Sequence, residues 1–400
     1  IRWFQDHDTL RMFDPSSQMR LNRDDDGYYD YNGRVYSSFI RPRLVIMSPL
    51  LDSLKNVSEF PEFDNHRLVS FIFDAATGLQ GFIAIHRGGL NSPSLGATRV
   101  WRYGSAEEAL RDALRLSRIM SYKAALAGLK YGGAKAVLMG VPMDPAARKT
   151  FFLAYAQKVS YFGGKFITGT DVGVNEADVE VMRQETPYVI GSKVDPAYYT
   201  ALGVVSGIRV SLGRVFGKES IKGKSFAIQG VGKTGMNAAK LLAKEKAKLI
   251  AADIDVEKVR QARKELPGVK IVPPADIHKQ EVDVFVPCAL SGVLNPESVT
   301  ELRCKIVAGA ANNQLSGSYI GELLHKIGIL YAPDYVINAG GLISVVDEFE
   351  HEAPSQKRIL KRLGLIKKNL NSVFDRSRRQ NRPTNTVANE MAEKIFNNHS

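Results

Sequence analysis

Two cysteines in 400 residues, Cys288 and Cys304, are too few for a disulfide framework, so stability has to come from packed cores. No apolar run reaches the ~20 residues that a membrane-spanning helix needs; LVIMSPLL, at 44–51, is short and broken by Pro49. The opening IRWFQDHD lacks the basic-then-apolar layout of a secretory signal. Together these absences lead to the expectation of a cytoplasmic protein with no membrane partner. The 7 histidines show no ligand spacing, and no metal is expected. Acidic residues fall short of basic ones, 42 against 54, and the net charge of +12 would permit nucleic-acid binding. The lysines and arginines are spread along the chain, however, and no zinc, homeodomain or RNA-sheet motif accompanies them. An enzyme with a basic surface and no nucleic-acid partner is the expectation.

What is present divides the chain. Its length suggests two domains rather than one core. Residues 1–60 mix acidic punctuation with Tyr28, Tyr29, Tyr31, Tyr36 and Phe39, and Asn32-Gly33 between aromatic runs predicts a small hairpin. The segment could be an oligomerisation arm, a partner-binding segment or a packed lid; aromatics are costly to leave exposed, which favours the arm. From His66 the β-rich runs RLVSFIFD and GLQGFIAIHR flank a turn at 75–78. Ser105 caps a helix in which Ala109, Leu110, Ala113, Leu114, Leu116 and Ile119 recur at helical spacing. Helices at about 146–162 and about 175–186 flank FITGTDVG.

A helix over 201–215, ended by Gly217, leads to the strand SFAIQ at 225–229, and then to Gly230, Gly232 and Gly235. A helix to about Lys246, the strand KLIAA and Asp253 complete a dinucleotide fingerprint in its proper setting. Gly230 permits the tight turn, Gly232 the approach of a pyrophosphate, and Gly235 the packing of helix on strand. Val231, Lys233 and Thr234 fill the rest of the turn, where free helix N–H groups favour phosphate. A carboxylate at Asp253, followed by Ile254-Asp255 and no arginine, favours NAD over NADP. Strands at 282–287, 305–309 and 329–332 continue the alternation, which predicts a parallel sheet with helices on both faces. Cys288 has no evident histidine partner and reads as a small buried thiol. After Gly341 a long helix is expected. The tail 356–382 carries Ile359, Leu360, Leu363, Ile366, Leu370 and Phe374 at amphipathic spacing, predicting apolar residues inward and charges in water.

One stretch carries the chemistry: SYKAALAGLKYGGAK, at 121–135, brackets small residues between Lys123 and Lys135. Taken alone it fits a glycine turn followed by a buried strand, with a solvated lysine. A lysine delivered into a water-poor cleft would instead have its pKa lowered and serve as acid or base. This segment resembles the active-site segment of the amino-acid dehydrogenases that act on glutamate, leucine, phenylalanine and valine. SLGATR (94–99), TGTDVG (168–173) and APDYVINAGGL (332–342) resemble three further signatures of that family, in the same order. The resemblance runs from about Phe63 to about Val373 and is nearest the leucine and phenylalanine branch.

The resemblance implies an α/β fold with an N-terminal substrate and oligomerisation domain and a Rossmann-type dinucleotide-binding domain, the active site in the cleft between them. The expected bounds are an extension at 1–60, a substrate domain at 61–198 completed by C-terminal helices within 346–400, and an NAD-binding domain at 199–345. It implies a homo-oligomer that reversibly deaminates an apolar L-amino acid (leucine, valine or isoleucine) to the 2-oxo acid and ammonia, with NAD. Phenylalanine or another aromatic amino acid is the alternative substrate, and a catalytically lapsed NAD-binding scaffold the alternative of another class. Lys123 matches the lysine that holds the substrate carboxylate, Lys135 the one that activates water, and Asp171 the carboxylate that exchanges protons with the amine. Lys123 is expected to lower the pKa of Lys135, with Asp171 in part opposing. Leu95, Gly96, Gly169, Asn338, Leu342 and Val345 match substrate-binding positions, and Leu95 stands where the glutamate branch has a lysine. Thr200, the 230–235 turn, Asp253, Cys288, Ala289 and Asn312 match coenzyme positions.

Overall fold

The chain opens, in the computed structural model, with four paired strands, β1 (Arg2–Asp6), β2 (Thr9–Asp14), β3 (Ser17–Asp24) and β4 (Gly27–Tyr29). These form an antiparallel meander in sequence order, with Leu10 opposite Leu21 and Met12 opposite Met19. The hairpin expected at Asn32-Gly33 lies outside the described residues, which are 2–6, 9–14, 17–24, 27–29, 57–88, 92–191, 194–289, 291–351 and 353–397. Residues 1–61 and 62–400 are separate compact units.

Within 62–400 the first half is built on a mixed sheet. β5 (Leu68–Asp74) and β6 (Leu79–Ile85) form the expected hairpin, turned through Gly78 at φ +73°. Two-residue β7 (Ser94–Leu95), three-residue β8 (Thr98–Val100), β9 (Gly132–Leu138) and β10 (Phe166–Ile167) complete it in the order β10-β7-β9-β6-β5, with β8 also on β9. Every residue of β9 is buried. Side chains alternate along a strand. Ala134, Ala136 and Leu138 therefore share one face, in a cluster with Phe151, Phe152 and Tyr155 of helix α2 (Pro145–Ser160). Helix α1 (Ala106–Leu126), capped by Ser105 as expected, packs against the same strand. A Cβ on Gly133 would lie 2.0 Å from Ser121 N, so the helix can settle there only over glycine. Helix α3 (Glu176–Arg183) follows.

Helix α4 (Pro196–Phe216) begins five residues before the expected start at 201. Asp195 caps it by accepting from Ala197 N–H and Tyr198 N–H, and Pro196 is pre-set for the first helical position. It ends, as expected, at Gly217 with φ +76°.

The second half carries a parallel sheet. Its strands are β11 (Ser225–Gln229), β12 (Lys248–Ala252), β13 (Lys270–Ile271), β14 (Val284–Pro287), β15 (Ile306–Val307) and β16 (Leu330–Tyr331). Helices α5 (Lys233–Lys244), α6 (Val256–Glu265), α7 (Pro296–Glu301) and α8 (Tyr319–Lys326) lie between them in sequence. The order is β13-β12-β11-β14-β15-β16, so the chain reverses its direction of travel between β11 and β14. Ligands bind at the carboxyl ends of strands at such a reversal.

Helix α9 (Asp334–Ile337) leads to α10 (Gly340–Glu350), which ends before Pro354 instead of continuing as the long helix expected there. Helix α11 (Gln356–Gln380) buries Ile359, Leu363, Ile366, Leu370 and Phe374 as predicted, but Leu360 is 45% exposed. Helix α12 (Thr384–Asn397) packs back on α1, and α11 packs on α4 and α10. Among the described residues, no helix is long and apolar enough to cross a membrane.

Candidate active site

Helix α1 over strand β9 brings the two lysines of the 121–135 segment to one cavity of about 250 Å³. Lys123 projects from the last turn of α1, and Lys135 lies mid-strand on β9, on the alternate of Gly133. Gly133 N–H donates to Ser121 Oγ at 3.0 Å, which fixes the helix over the strand. Lys135 Nζ donates to Asp171 Oδ2 at 2.7 Å, and Arg99 Nε donates to the same oxygen at 3.1 Å. Arg99 also reaches Asp112 at 3.0 Å, and Asp112 accepts from Tyr103 Oη at 2.6 Å and Arg115 at 2.7 Å. Lys123 Nζ donates to Asn312 Oδ1 at 3.0 Å, and Asn338 Nδ2 donates to that same oxygen at 3.0 Å.

Burial and charge set the protonation of these groups. Burial would raise the Asp171 carboxyl, but Lys135 and Arg99 override it and hold the carboxyl well below the usual carboxylate range. Burial pulls Lys135 below an ordinary lysine, Asp171 opposes this, and the Arg99 guanidinium adds to the depression. Burial is thus the leading cause for Lys135 and Arg99 the cation that adds most to it, while the expected repulsion between the two lysines shows on Lys123. Lys123 itself is pulled down to about 8, by burial first and by Lys135 in part, against the buried carboxylate of Asp334.

The cavity wall gathers eleven of the sequence candidates: Gly96, Lys123, Lys135, Gly169, Asp171, Thr200, Thr234, Asn312, Asn338, Leu342 and Val345. Leu95 is not on it; that side chain is fully buried in a core cluster with Tyr122, Ile167 and Ile190. The reason is the alternation of the strand, which turns Leu95 into the core while its neighbour Gly96 stays at the wall. Asn312, grouped with the coenzyme positions on sequence, is bonded here to Lys123. Gly169 serves close packing: a Cβ there would lie 2.9 Å from Ile190 O.

The fingerprint turn forms a separate cradle. Gly230 has φ +91°, and a Cβ on it would meet Ala289 Cβ at 2.8 Å. A Cβ on Gly235 would lie 2.0 Å from Gly230 O, whereas one on Gly232 would meet nothing within 4 Å, leaving open space beside the turn. No side chain caps α5 at Gly232, so the first N–H groups of that helix stay available. Asp253 stands at the carboxyl end of β12, accepting from Val231 N–H at 2.8 Å and Asp255 N–H at 2.9 Å. Burial pushes the Cys288 thiol up to about 11, which suits packing rather than nucleophilic attack. Ala289 lines a second recess that also includes Arg99, Asp171 and Asn312.

Comparison with known proteins decides the family. Residues 66–188 match the Glu/Leu/Phe/Val dehydrogenase dimerisation domain, and residues 191–397 match the Glutamate/Leucine/Phenylalanine/Valine dehydrogenase domain. The chain belongs to this dehydrogenase family. It is 42% identical to a leucine dehydrogenase of Geobacillus stearothermophilus over 84% of its own length and 92% of the relative's. It is 40% identical to a phenylalanine dehydrogenase of Bacillus thermotolerans over 85% and 91% of the two chains. The crystal structure of L-tryptophan dehydrogenase from Nostoc punctiforme superposes with a TM-score of 0.71 at 36% identity, covering 87% of this chain and 98% of that one.

This amino-acid dehydrogenase is thus an oxidoreductase whose reaction is oxidative deamination. Its cavity supplies two lysines with lowered pKa values and one carboxylate kept ionised. Sequence reasoning passed over Arg99, Asp112 and Asp334. Arg99 and Asp334 sit inside the quoted motifs SLGATR and APDYVINAGGL, yet no local spacing announces their partners, which lie 72 and 20 residues away in sequence.

Proposed function

We propose that this dehydrogenase deaminates an apolar L-amino acid, leucine, valine or isoleucine first, using NAD. One observation carries the substrate reading. The cavity has three cations, and each is engaged: Lys135 and Arg99 on Asp171, Lys123 on Asn312. The apolar part of the wall, with Ile190, Leu342 and Val345, offers no fourth cation to a distal carboxylate. A glutamate side chain would bury its charge there unpaired. The space that glycine at 169 leaves is taken by the Ile190 carbonyl, which favours branched chains over a ring.

In this reading Lys123, polarised toward the cavity, holds the α-carboxylate, and substrate displaces its bond to Asn312. Asn338 Oδ1 is buried without a partner, so it has an acceptor to offer the α-ammonium. The uncapped α5 turn and Asp253 fit a dinucleotide, Gly232 for the pyrophosphate and Asp253 for the ribose hydroxyls. Bound there, NAD would accept the hydride from Cα. Lys135, its pKa lowered by burial, takes a proton from the water that attacks the resulting imine, and Asp171 steers that proton toward the departing amine. Match to the dimerisation domain supports a homo-oligomer.

A spectrophotometric screen of amino acids with NAD and with NADP tests the whole reading. Branched-chain substrates should be turned over with graded efficiency and glutamate hardly at all. Preference for glutamate or for NADP would overturn it.

A further inference from the structure

Ile190, buried in the core, lines the substrate cavity and also borders an open surface groove with Arg183, Glu348, Phe349 and His351. The segment that carries it, Val189–Gly191, is stitched to Thr168 by Thr168 N–H to Tyr188 O and Ile190 N–H to Thr168 O, both at 2.9 Å. An ion pair grips the segment's outer side. Arg183 of α3 donates to Val189 O from Nε and Nη2, each at 3.4 Å. Glu348 of α10 accepts from Gly191 N–H at 3.2 Å and from Arg183 Nη2 at 3.3 Å. The Glu348 side chain is only 4% exposed, so its bonds are shielded from water. Glu348 stands three residues after Val345, on the same face of α10. Gly191, at φ +99°, lies so near that a Cβ on it would meet Val345 Cγ1 at 3.6 Å.

Close-packed walls resist displacement because atoms back them. Here an open groove borders the Val189–Gly191 segment, and much of the backing comes from a cation on the Val189 carbonyl and an anion on the Gly191 amide. We propose that the Arg183–Glu348 ion pair sets the width of the substrate pocket, by holding the segment that carries Ile190 against α10. Both are positioning residues for specificity and touch no reacting atom. The inference rests on the reading that this cavity receives the substrate side chain.

The test compares kcat/KM for valine and phenylalanine in the full chain. Glu348→Ala removes the bonds to Gly191 and Arg183, frees the segment to move toward the groove, and raises the phenylalanine-to-valine ratio about tenfold, the scale on which pocket volume discriminates. Glu348→Gln keeps an acceptor for Gly191 and stays within about threefold of the wild-type ratio. Arg183→Met shifts the ratio in the same direction as Glu348→Ala and decides the matter should that variant fail to fold. Ile190→Ala widens the wall directly and separates two failures. If it raises the ratio while Glu348→Ala and Arg183→Met leave it unchanged, the brace is overturned and the pocket reading stands. If Ile190→Ala does not change the ratio, the pocket reading has failed and the brace with it. An equal loss on both substrates in the Glu348 and Arg183 variants also overturns the proposal, since that is the signature of a purely structural role.

Discussion

In the parallel sheet the candidate coenzyme positions are mostly backbone, a turn at Gly230 and an uncapped helix start at Gly232, with one carboxylate, Asp253, at a strand end. In the mixed sheet they are charged side chains pressed into a dry interior: Lys135 mid-strand with 6% of its side chain exposed, and Asp171 with 14%. The first arrangement follows from local geometry and asks little of the rest of the fold. The second needs helix α1, strand β9 and the 168–173 loop to converge, and it removes charges from water, which is stable only when they are paired. The same desolvation pulls Lys123 and Lys135 of the mixed-sheet half below an ordinary lysine.

The comparison breaks most visibly at Lys135. Lys135→Ala should lower kcat at least a thousandfold, about 4 kcal/mol of barrier, while the dissociation constant for NAD, followed by fluorescence titration, changes less than about threefold. Asp171 keeps Arg99 as a partner, so the variant should remain folded. A kcat above a tenth of the wild-type value would remove Lys135 from the chemistry.

Burial on the same side of the molecule should also show in stability. His66, under α1, accepts from Asp64 N–H at 3.1 Å and has Leu114 O and Ser117 Oγ each at 3.0 Å from Nε2. Burial first, and then the nearby His86, pull its pKa from 6.5 down to about 4. Between these values the unfolded chain binds the proton and the folded chain does not. Stability therefore rises with pH through that window, and acidification from pH 6.5 to 4 should cost about 3 kcal/mol. Denaturant titrations of wild type and His66→Phe across the window check this; parallel pH curves would refute it.

Much of this was legible because local patterns agreed with the fold. Ser105, the 75–78 turn, Gly217 and the β11-turn-α5-β12 unit were readable from capping, turn and spacing chemistry alone. The start of α4 was missed because Asp195-Pro196 was not weighed as a cap, and the break after α10 because Pro354 was passed over. The first 29 residues hide four strands that are short and carry few β-branched residues, so little strand signal stands out in the sequence. In the site, residue types were legible and partnerships were not. Nothing near Arg99 in sequence says that it will meet Asp171, and nothing near Leu95 says that it will turn inward.

Arg99 sharpens the contrast at a smaller scale, since it pairs with Asp171 and its charge reaches Lys135. Its charge lowers the pKa of both, so removing it raises both. Arg99→Met should lower kcat/KM about tenfold and move the acid limb of its pH profile to higher pH, because the basic forms then require less acid solution. Arg99→Lys should recover part of the shift. An acid limb that stays put, or moves to lower pH, would assign Arg99 to packing alone.

The smallest effect belongs to the pair that joins the two kinds of region. Lys233, at the start of α5, donates to Glu176, at the start of α3, at 3.1 Å, with side chains 82% and 80% exposed. The geometry matches that of the buried pair, yet water screens the charges and two long side chains must be ordered to hold it. A double-mutant cycle on Lys233→Ala and Glu176→Ala should give a coupling of about 0.5 kcal/mol or less in denaturant unfolding, and it should vanish at high salt. A coupling above about 1 kcal/mol would mean that an exposed bridge holds the two halves together. The difference drawn here between a region that works through backbone and one that works through buried charge would then fail at their junction. A negligible coupling would leave burial, not the formation of an ion pair as such, as what separates Lys135 from Lys233.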